Sequence, residues 1–295
     1  MLFRSNNASI SFTLTANETL DATTATAGDF TVTNATAVNV SGSGTTLTIT
    51  ATATGDGAVT IAPSAGFSVS DVAGNAQTVA GGTDRSVTYD ATAPTVTLEQ
   101  AAGQTDPTKV AAIQFTLTAN EPLDPASVTL ADFTVTNGTG TTVTGSGSTY
   151  TITTTATADG AVSVTTSGSF SVADIAGNTR TAAGGSDRSV TYDTTAPTLT
   201  LQQAASQVDP TNGATIRFTL SANESLDAST IAADDFTVTG GGTPTITGSG
   251  ATYTITTTAS GDGAVTIAPA VGFLRSEEHT SELQSRLHLV CRLLL

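Results

Sequence analysis

The chain has no tryptophan, one cysteine, one methionine and two histidines among its 295 residues. Cations are scarce too: nine Lys and Arg stand against 25 Asp and Glu, a formal net charge of -16. Each shortage excludes something. A Ser-His-Asp or Cys-His arrangement needs a histidine base. Both histidines (His279, His288) and the cysteine (Cys291) sit in the last stretch of sequence. The rest of the chain therefore has no such constellation, and no His/Cys set for zinc. The acidic balance argues against nucleic acid, which is recognised through basic patches. It also argues against docking on anionic lipid. It suits solubility and cation binding. With aromatic residues at 5%, cores must be small. No run is long and apolar enough to span a membrane. Scarce cysteine is compatible with an extracellular address.

The two ends differ from the text between them. Arg275 to Leu295 shares nothing with the Thr/Ser/Gly/Ala-rich sequence before it. Its RSEEHTSELQS and LVCRLLL segments resemble the translation of a common short-read sequencing adapter, with Arg286 to His288 in the place of the index. Met1 to Ser5 resembles the opposite strand of the same adapter. Residues 1–5 and 275–295 are therefore expected to be foreign to the fold. The tail is expected to make few contacts with it. Between them 22 acidic residues face 5 basic ones, with no histidine or cysteine.

What remains is a repeat. Three copies align without a gap at a spacing of 103 residues. FTLTANE starts at Phe12 and Phe115, and FTLSANE at Phe218. The pair Asp29-Phe30 recurs as Asp132-Phe133 and Asp235-Phe236. DRSVTYDATAPT from Asp84 recurs as DRSVTYDTTAPT from Asp187. A period near one hundred residues is the size of one immunoglobulin-like sandwich, and solenoid repeats are far shorter. The copies are expected at 6–93, lacking a first strand; at 94–196, complete; and at 197–274, lacking a last strand.

Strands in the middle copy follow from period-two alternation. Val96 and Leu98 mark the first, and Ile113, Phe115 and Leu117 the second. Phe133 and Val135 mark the third, and Val143 begins a short fourth. Tyr150 with Ile152, Val162 with Val164, and Val190 with Tyr192 mark the remaining three. Asn137-Gly138, Gly145-Ser146-Gly147, Asp159-Gly160 and Gly184-Gly185 punctuate them. Seven short strands with frequent turns predict an all-β fold of tandem immunoglobulin-like antiparallel β-sandwiches. No helical crossovers support a parallel sheet.

The motifs ANEPLD, ADFTVTNGT, DIAGNTRTAAGG and VTYDTTAPT resemble the bacterial Ig-like repeats of large surface adhesins, of the biofilm-associated and type-I-secreted kinds. The resemblance covers Asn6 to Phe273. It implies a cell-surface or extracellular protein and, in some relatives, calcium-stiffened junctions between repeats.

The carboxylates have a pattern of their own. Chain direction reverses at each strand, so the loops after the second and sixth strands return to the end where the linker arrives. In the middle copy those loops hold Glu121, Asp124, Asp174 and Asn178, and the linker brings Asp90. At the next junction the set recurs as Asp193, Glu224 and Asp227. Calcium takes several hard oxygen ligands, and clustered carboxylates repel one another without a cation. Asp90, Glu121 and Asp174 are expected to hold one calcium ion, with Asp124 and Asn178 as further ligands. A second reading makes all of these turn formers on an acidic, soluble surface. The D-x-x-G-N stretches, Asp71–Asn75 and Asp174–Asn178, suit a turn and do not match an EF-hand. Both readings stay open on sequence.

Every carboxylate pair recurs from copy to copy, which suits architecture better than one glycosidase site. No enzyme is expected. Pro94 and Pro197 stiffen short linkers. The chain is therefore expected to be a stalk or spacer segment. Its partners would be neighbouring repeats and, through other domains, a host or biofilm-matrix ligand. The alternatives are a ligand-binding module or accessory repeats of a secreted enzyme.

Overall fold

Apolar and polar residues alternate along Ile113-Gln114-Phe115-Thr116-Leu117, and the structure places Ile113, Phe115 and Leu117 fully out of solvent. That alternation dictates one buried and one exposed face for the strand. A computed structural model describes residues 3–271 and 289–292. The chain divides into two compact units, Met1–Thr194, with the first two repeats, and Thr195–Leu295, with the third.

The first repeat contains β1 (Phe3–Ser5), β2 (Ser9–Leu20), β3 (Phe30–Thr33), β4 (Ala35–Ala53), β5 (Gly57–Pro63), β6 (Val69–Ser70), β7 (Ala76–Gln77) and β8 (Ser86–Tyr89). The second contains β9 (Val96–Gln100), β10 (Ala112–Ala119), β11 (Phe133–Thr136), β12 (Gly138–Ser146), β13 (Thr149–Ala156), β14 (Gly160–Thr166), β15 (Val172–Ala173), β16 (Thr179–Arg180) and β17 (Ser189–Tyr192). The third contains β18 (Leu199–Gln203), β19 (Thr215–Ala222), β20 (Phe236–Thr239), β21 (Thr245–Ser249), β22 (Thr252–Thr258), β23 (Ala264–Pro269) and β24 (Leu289–Arg292).

The second repeat shows the plan most fully. One sheet runs β12-β13-β10-β9 and the other β11-β14-β17. Four strands against three, all antiparallel, is the constant-type immunoglobulin sandwich. Its core joins both sheets: Leu98, Phe115, Leu117 and Ile152 meet Val162, Val164 and Val190. The seven expected strands are all present. The fourth is longer than expected, beginning at Gly138 and absorbing an irregularity between Thr139 and Thr142. Asn137 takes the left-handed conformation at φ 56° before it. Asparagine tolerates that region because its side chain satisfies local backbone groups; here it donates to the Ala158 carbonyl at 2.7 Å.

The recurring Asp-Phe pair has a structural cause. Asp132 is buried at 6% exposure. Its carboxylate accepts from the amide and hydroxyl of Thr129, both at 2.8 Å, and from the Ser171 amide at 3.2 Å. It thus closes the 3-10 turn Leu130–Asp132 and ties it to a distant loop. Phe133 then packs edge-on against Phe170, 6.3 Å between centroids. Asp29 repeats this with Thr26 and Ser68, and Phe30 with Phe67.

Both ends pair with a sheet edge. Phe3–Ser5, set apart as foreign, runs parallel to β8 with Ser5 opposite Tyr89. In the second repeat Thr108 bridges Tyr192 in the same parallel sense. Most of 275–295 lies outside the described residues, but Leu289–Arg292, expected to make few contacts, pairs with β23. The position is that of β17 beside β14 in the second repeat. The physical reason is common to both: an open sheet edge offers unpaired backbone groups, and pairing with them does not depend on what the side chains once belonged to.

Candidate cation site at the first repeat junction

The linker Ala91–Thr95 is held from both sides. In the first repeat Asp56, in the turn before β5, accepts from the Ala91 amide at 2.8 Å and the Thr92 hydroxyl at 2.5 Å. In the second, Asn120 accepts from the Thr95 amide at 2.7 Å and its own amide donates to the Thr95 carbonyl at 3.1 Å. Pro94 between them is buried. Asn120 opens the loop after β10, and the next residue is Glu121.

Three carboxylates converge there. Oxygens of Asp90, Glu121 and Asp174 lie within 4.8 Å of one another. Asp90 follows β8, Glu121 follows β10 and Asp174 follows β15, so three separate segments supply the group. Asp174 is 1% exposed, and the other two are half-buried. Burial pushes the Glu121 carboxyl above the ordinary glutamate range, and the charges of Asp90 and Asp174 push the same way, partly offset by Arg4. The Arg4 guanidinium lies 4.0 Å from Asp90. Like charges in a poorly hydrated place destabilise their own ionised forms.

Asp174 also organises its own loop. One oxygen accepts from the amides of Gly177 at 2.7 Å and Asn178 at 2.9 Å; the other accepts from the Asn178 side chain at 2.8 Å. Asp71 does the same for Ala73 and Asn75 in the first repeat. The D-x-x-G-N stretch is thus a turn in both places, and at the junction the turn residue faces two more carboxylates.

The remaining expected ligands are placed as follows. Asn178 adjoins the cluster and donates to the Asp90 carbonyl at 2.7 Å. Asp124 instead caps the 3-10 turn Pro125–Ser127, accepting from the Ala126 amide at 3.0 Å. Asp227 caps Ala228–Thr230 in the same way, accepting from the Ser229 amide and hydroxyl, bonds that hold its carboxyl below the usual range. Short loops favour aspartate for capping as much as for ligation, which is why sequence alone did not separate the two roles. Asp193 belongs to the first compact unit and Glu224 and Asp227 to the second. The Asp193 amide donates to the Thr108 carbonyl at 2.9 Å. One oxygen of Glu224 is buried without a hydrogen-bond partner among the described residues.

The donor set at the first junction fits a hard cation. It consists of carboxylates only, from three segments, the hard oxygen ligands such an ion takes. Asp56 and Asn120 were not read as linker ties from sequence; Asn120 bonds only the Thr95 backbone, Asp56 the Ala91 amide and the Thr92 hydroxyl, and only the repeat of Asp56-Gly57 and of the ANE triplet marks them.

The chain matches no known protein family and no curated protein. Among solved structures it is similar to invasin, a bacterial integrin-binding protein, at 16% identity and a TM-score of 0.40. The match covers 99% of this chain and 58% of invasin, so the chain spans less than two thirds of that protein's length. At that distance no function passes from one protein to the other.

Proposed function

We propose that the chain is a stalk or spacer segment of a bacterial cell-surface or secreted adhesin, with calcium stiffening the first repeat junction. The observation that carries the spacer reading is the repeat itself. Each copy carries its own small core, such as those around Phe115 and Phe218, and copies follow at a fixed 103-residue spacing. Repetition of a self-contained unit through a short, clamped, proline-bearing linker sets distance. The resemblance of ANEPLD and VTYDTTAPT to surface-adhesin repeats supports the same reading. Calcium rests on Asp90, Glu121 and Asp174, which would be its carboxylate ligands. When bound, the ion would neutralise their mutual repulsion and join the linker to two loops of the next repeat.

A display experiment tests the spacer role. The chain is placed between a cell-surface anchor and a known adhesive tip. Adhesion of the tip should improve over a direct anchor-tip fusion, and the chain alone should confer none. If cells bearing the chain without a tip adhere to protein- or glycan-coated surfaces, the repeats themselves bind ligand.

A further inference from the structure

The second repeat is entered and left through two segments that lie side by side. The leading segment, residues 96–108, starts where the incoming linker ends, and the trailing segment, residues 184–193, runs out into the next linker. Thr97 bridges Gly184 and Thr108 bridges Tyr192, both in the parallel sense. The start of one segment and the end of the other therefore lie at opposite ends of their shared contact.

Main-chain bonds join the two along that length. The Leu98 amide donates to the Gly184 carbonyl at 3.0 Å, Gly184 to Val96 at 2.8 Å, and Gln100 to Asp187 at 2.6 Å. Farther on, Thr108 donates to Thr191 and Asp193 to Thr108, both at 2.9 Å. Two side chains add cross-ties. The Asp106 carboxylate accepts from the Thr191 amide at 2.9 Å. The Arg188 guanidinium donates to the Leu98 carbonyl at 3.2 Å, and to the Ala183 and Gly184 carbonyls at 2.8 and 2.6 Å. The approach is so close that a Cβ on Gly185 would collide with the Leu98 carbonyl. Each segment is also anchored in the core, the leading one by Leu98 and the trailing one by Val190.

Tension along the chain draws residues 96 and 193 apart. Between parallel segments that motion slides one along the other and loads all the bonds joining them together. Pulling the two segments apart from one shared end would instead break those bonds in turn.

We propose that the second repeat is a load-bearing unit, in which these two segments form a shear clamp against tension along the chain. Asp106 and Arg188 are its side-chain ties. The use of such a clamp rests on the stalk reading, since a stalk is pulled whenever the tip it carries is held; its geometry does not.

The test is force spectroscopy on the full chain with Cys291→Ser. Handles at Ala93→Cys and Ala196→Cys, both exposed positions, pull the second repeat lengthwise. Handles at Ala93→Cys and Ala182→Cys, also exposed, pull both segments from the same end. Forced unfolding reads the unfolding rate, and each event is recognised by a gain of about 3.3–3.6 Å for every residue released. At equal force the repeat should last about tenfold longer or more when pulled lengthwise, because several hydrogen bonds must then fail together. Asp106→Ala should shorten the lengthwise lifetime about tenfold, the worth of one bond to a charged group, and leave the lifetime under same-end pulling unchanged. Phe133→Leu, in the core but on neither segment, should lower stability to denaturant without removing the difference between directions. Equal lifetimes in the two directions overturn the proposal, and that comparison needs no clamp variant to fold. So does an Asp106→Ala effect of the same size in both directions, which would make it general destabilisation. A repeat that resists lengthwise pulling but fails as a spacer between anchor and tip keeps the clamp and removes the stalk. A working spacer with equal lifetimes does the reverse.

Discussion

The side-chain amide of Asn178 donates to the main-chain carbonyl of Asp90 at 2.7 Å, across 88 residues of sequence. The same nitrogen donates to the Asp174 carboxylate at 2.8 Å. One asparagine therefore closes its own turn and fastens the incoming linker to it. Asn75 closes the equivalent turn on Asp71 in the first repeat. Asn178→Ala leaves two oxygens short of a donor and should cost about 1–3 kcal/mol. Native-state hydrogen exchange should show faster exchange along the linker amides Ala91 to Thr95. Asn75→Ala should leave those amides unchanged; equal loosening by both variants would mean that the tie to Asp90 is not what holds the linker.

Calcium should act at the same place. An ion bound by the folded state alone stabilises it by about 2.7 kcal/mol at a hundredfold excess over Kd. The full chain should melt higher in calcium than in chelator, and Asp90→Ala should remove the difference. Arg4→Ala should do the reverse. Its guanidinium, 4.0 Å from Asp90, competes with a cation for the same negative field, so its loss should tighten calcium binding a few-fold. Titration calorimetry on the three proteins checks the order. Identical isotherms, or identical melting with calcium and chelator, would leave these carboxylates as turn residues.

The sandwich was legible because alternation is a local signal. Val96, Phe115, Val162 and Val190 each announce a strand face before any partner is known. The convergence of Asp90, Glu121 and Asp174 followed from strand reversal, which fixes the end of the sandwich at which each loop emerges. Asp124 was less legible because an aspartate in a loop satisfies a 3-10 cap as readily as a cation. Asn120 acts on backbone atoms of the linker, which leave no residue type to read, and Asp56 adds to the Ala91 amide only the hydroxyl of Thr92, one threonine among many. The pairing of Phe3–Ser5 and Leu289–Arg292 escaped for a related reason, since an open edge selects for extended backbone and not for sequence.

Asp56 gives the linker a pH dependence. Hydrogen bonds from the Thr92 hydroxyl and the Ala91 amide hold its carboxyl below the ordinary aspartate range. A depressed acid stabilises the fold fully above its unfolded value, and the contribution is lost as pH falls through the lower folded value. The linker tie should thus be intact at neutral pH and weaken below about pH 4. Exchange at Ala91 and Thr92, corrected for its intrinsic pH dependence, should rise over that range. In Asp56→Asn the rise should be absent. A rise of the same size in the variant would assign it to other carboxylates.

Asp132 is the turn residue whose loss should be felt most. Asp132 is buried, and its three bonds to Thr129 and Ser171 are partly so. Asp132→Ala removes a cap and the tie to Ser171, and should cost about 1–2 kcal/mol. Asp132→Asn keeps the shape and should recover part of it. Chemical denaturation followed by far-UV circular dichroism separates these outcomes. A cost below about 0.5 kcal/mol, the range of ordinary surface substitutions, would mean that water replaces the carboxylate there.

The middle repeat should be the most resistant part of the chain. Its core is a single cluster that includes both Leu98 and Val190. The first repeat divides into two smaller clusters, one around Ile10 and Ile61 and one around Leu47 and Phe67. The difference lies at the β2 edge, where Leu14 keeps the exposure that Leu117 has lost under β9. Limited proteolysis should therefore cut the first repeat early and leave a fragment near Pro94 to Asp193. Large-to-small substitutions measure the same asymmetry. Leu117→Ala opens a cavity in a filled core and should cost about 2–5 kcal/mol. Leu14→Ala borders a groove that already admits solvent, so little transfer energy is lost, and its cost should be less than half as great. If the two leucines cost the same, the first repeat is as well closed as the second.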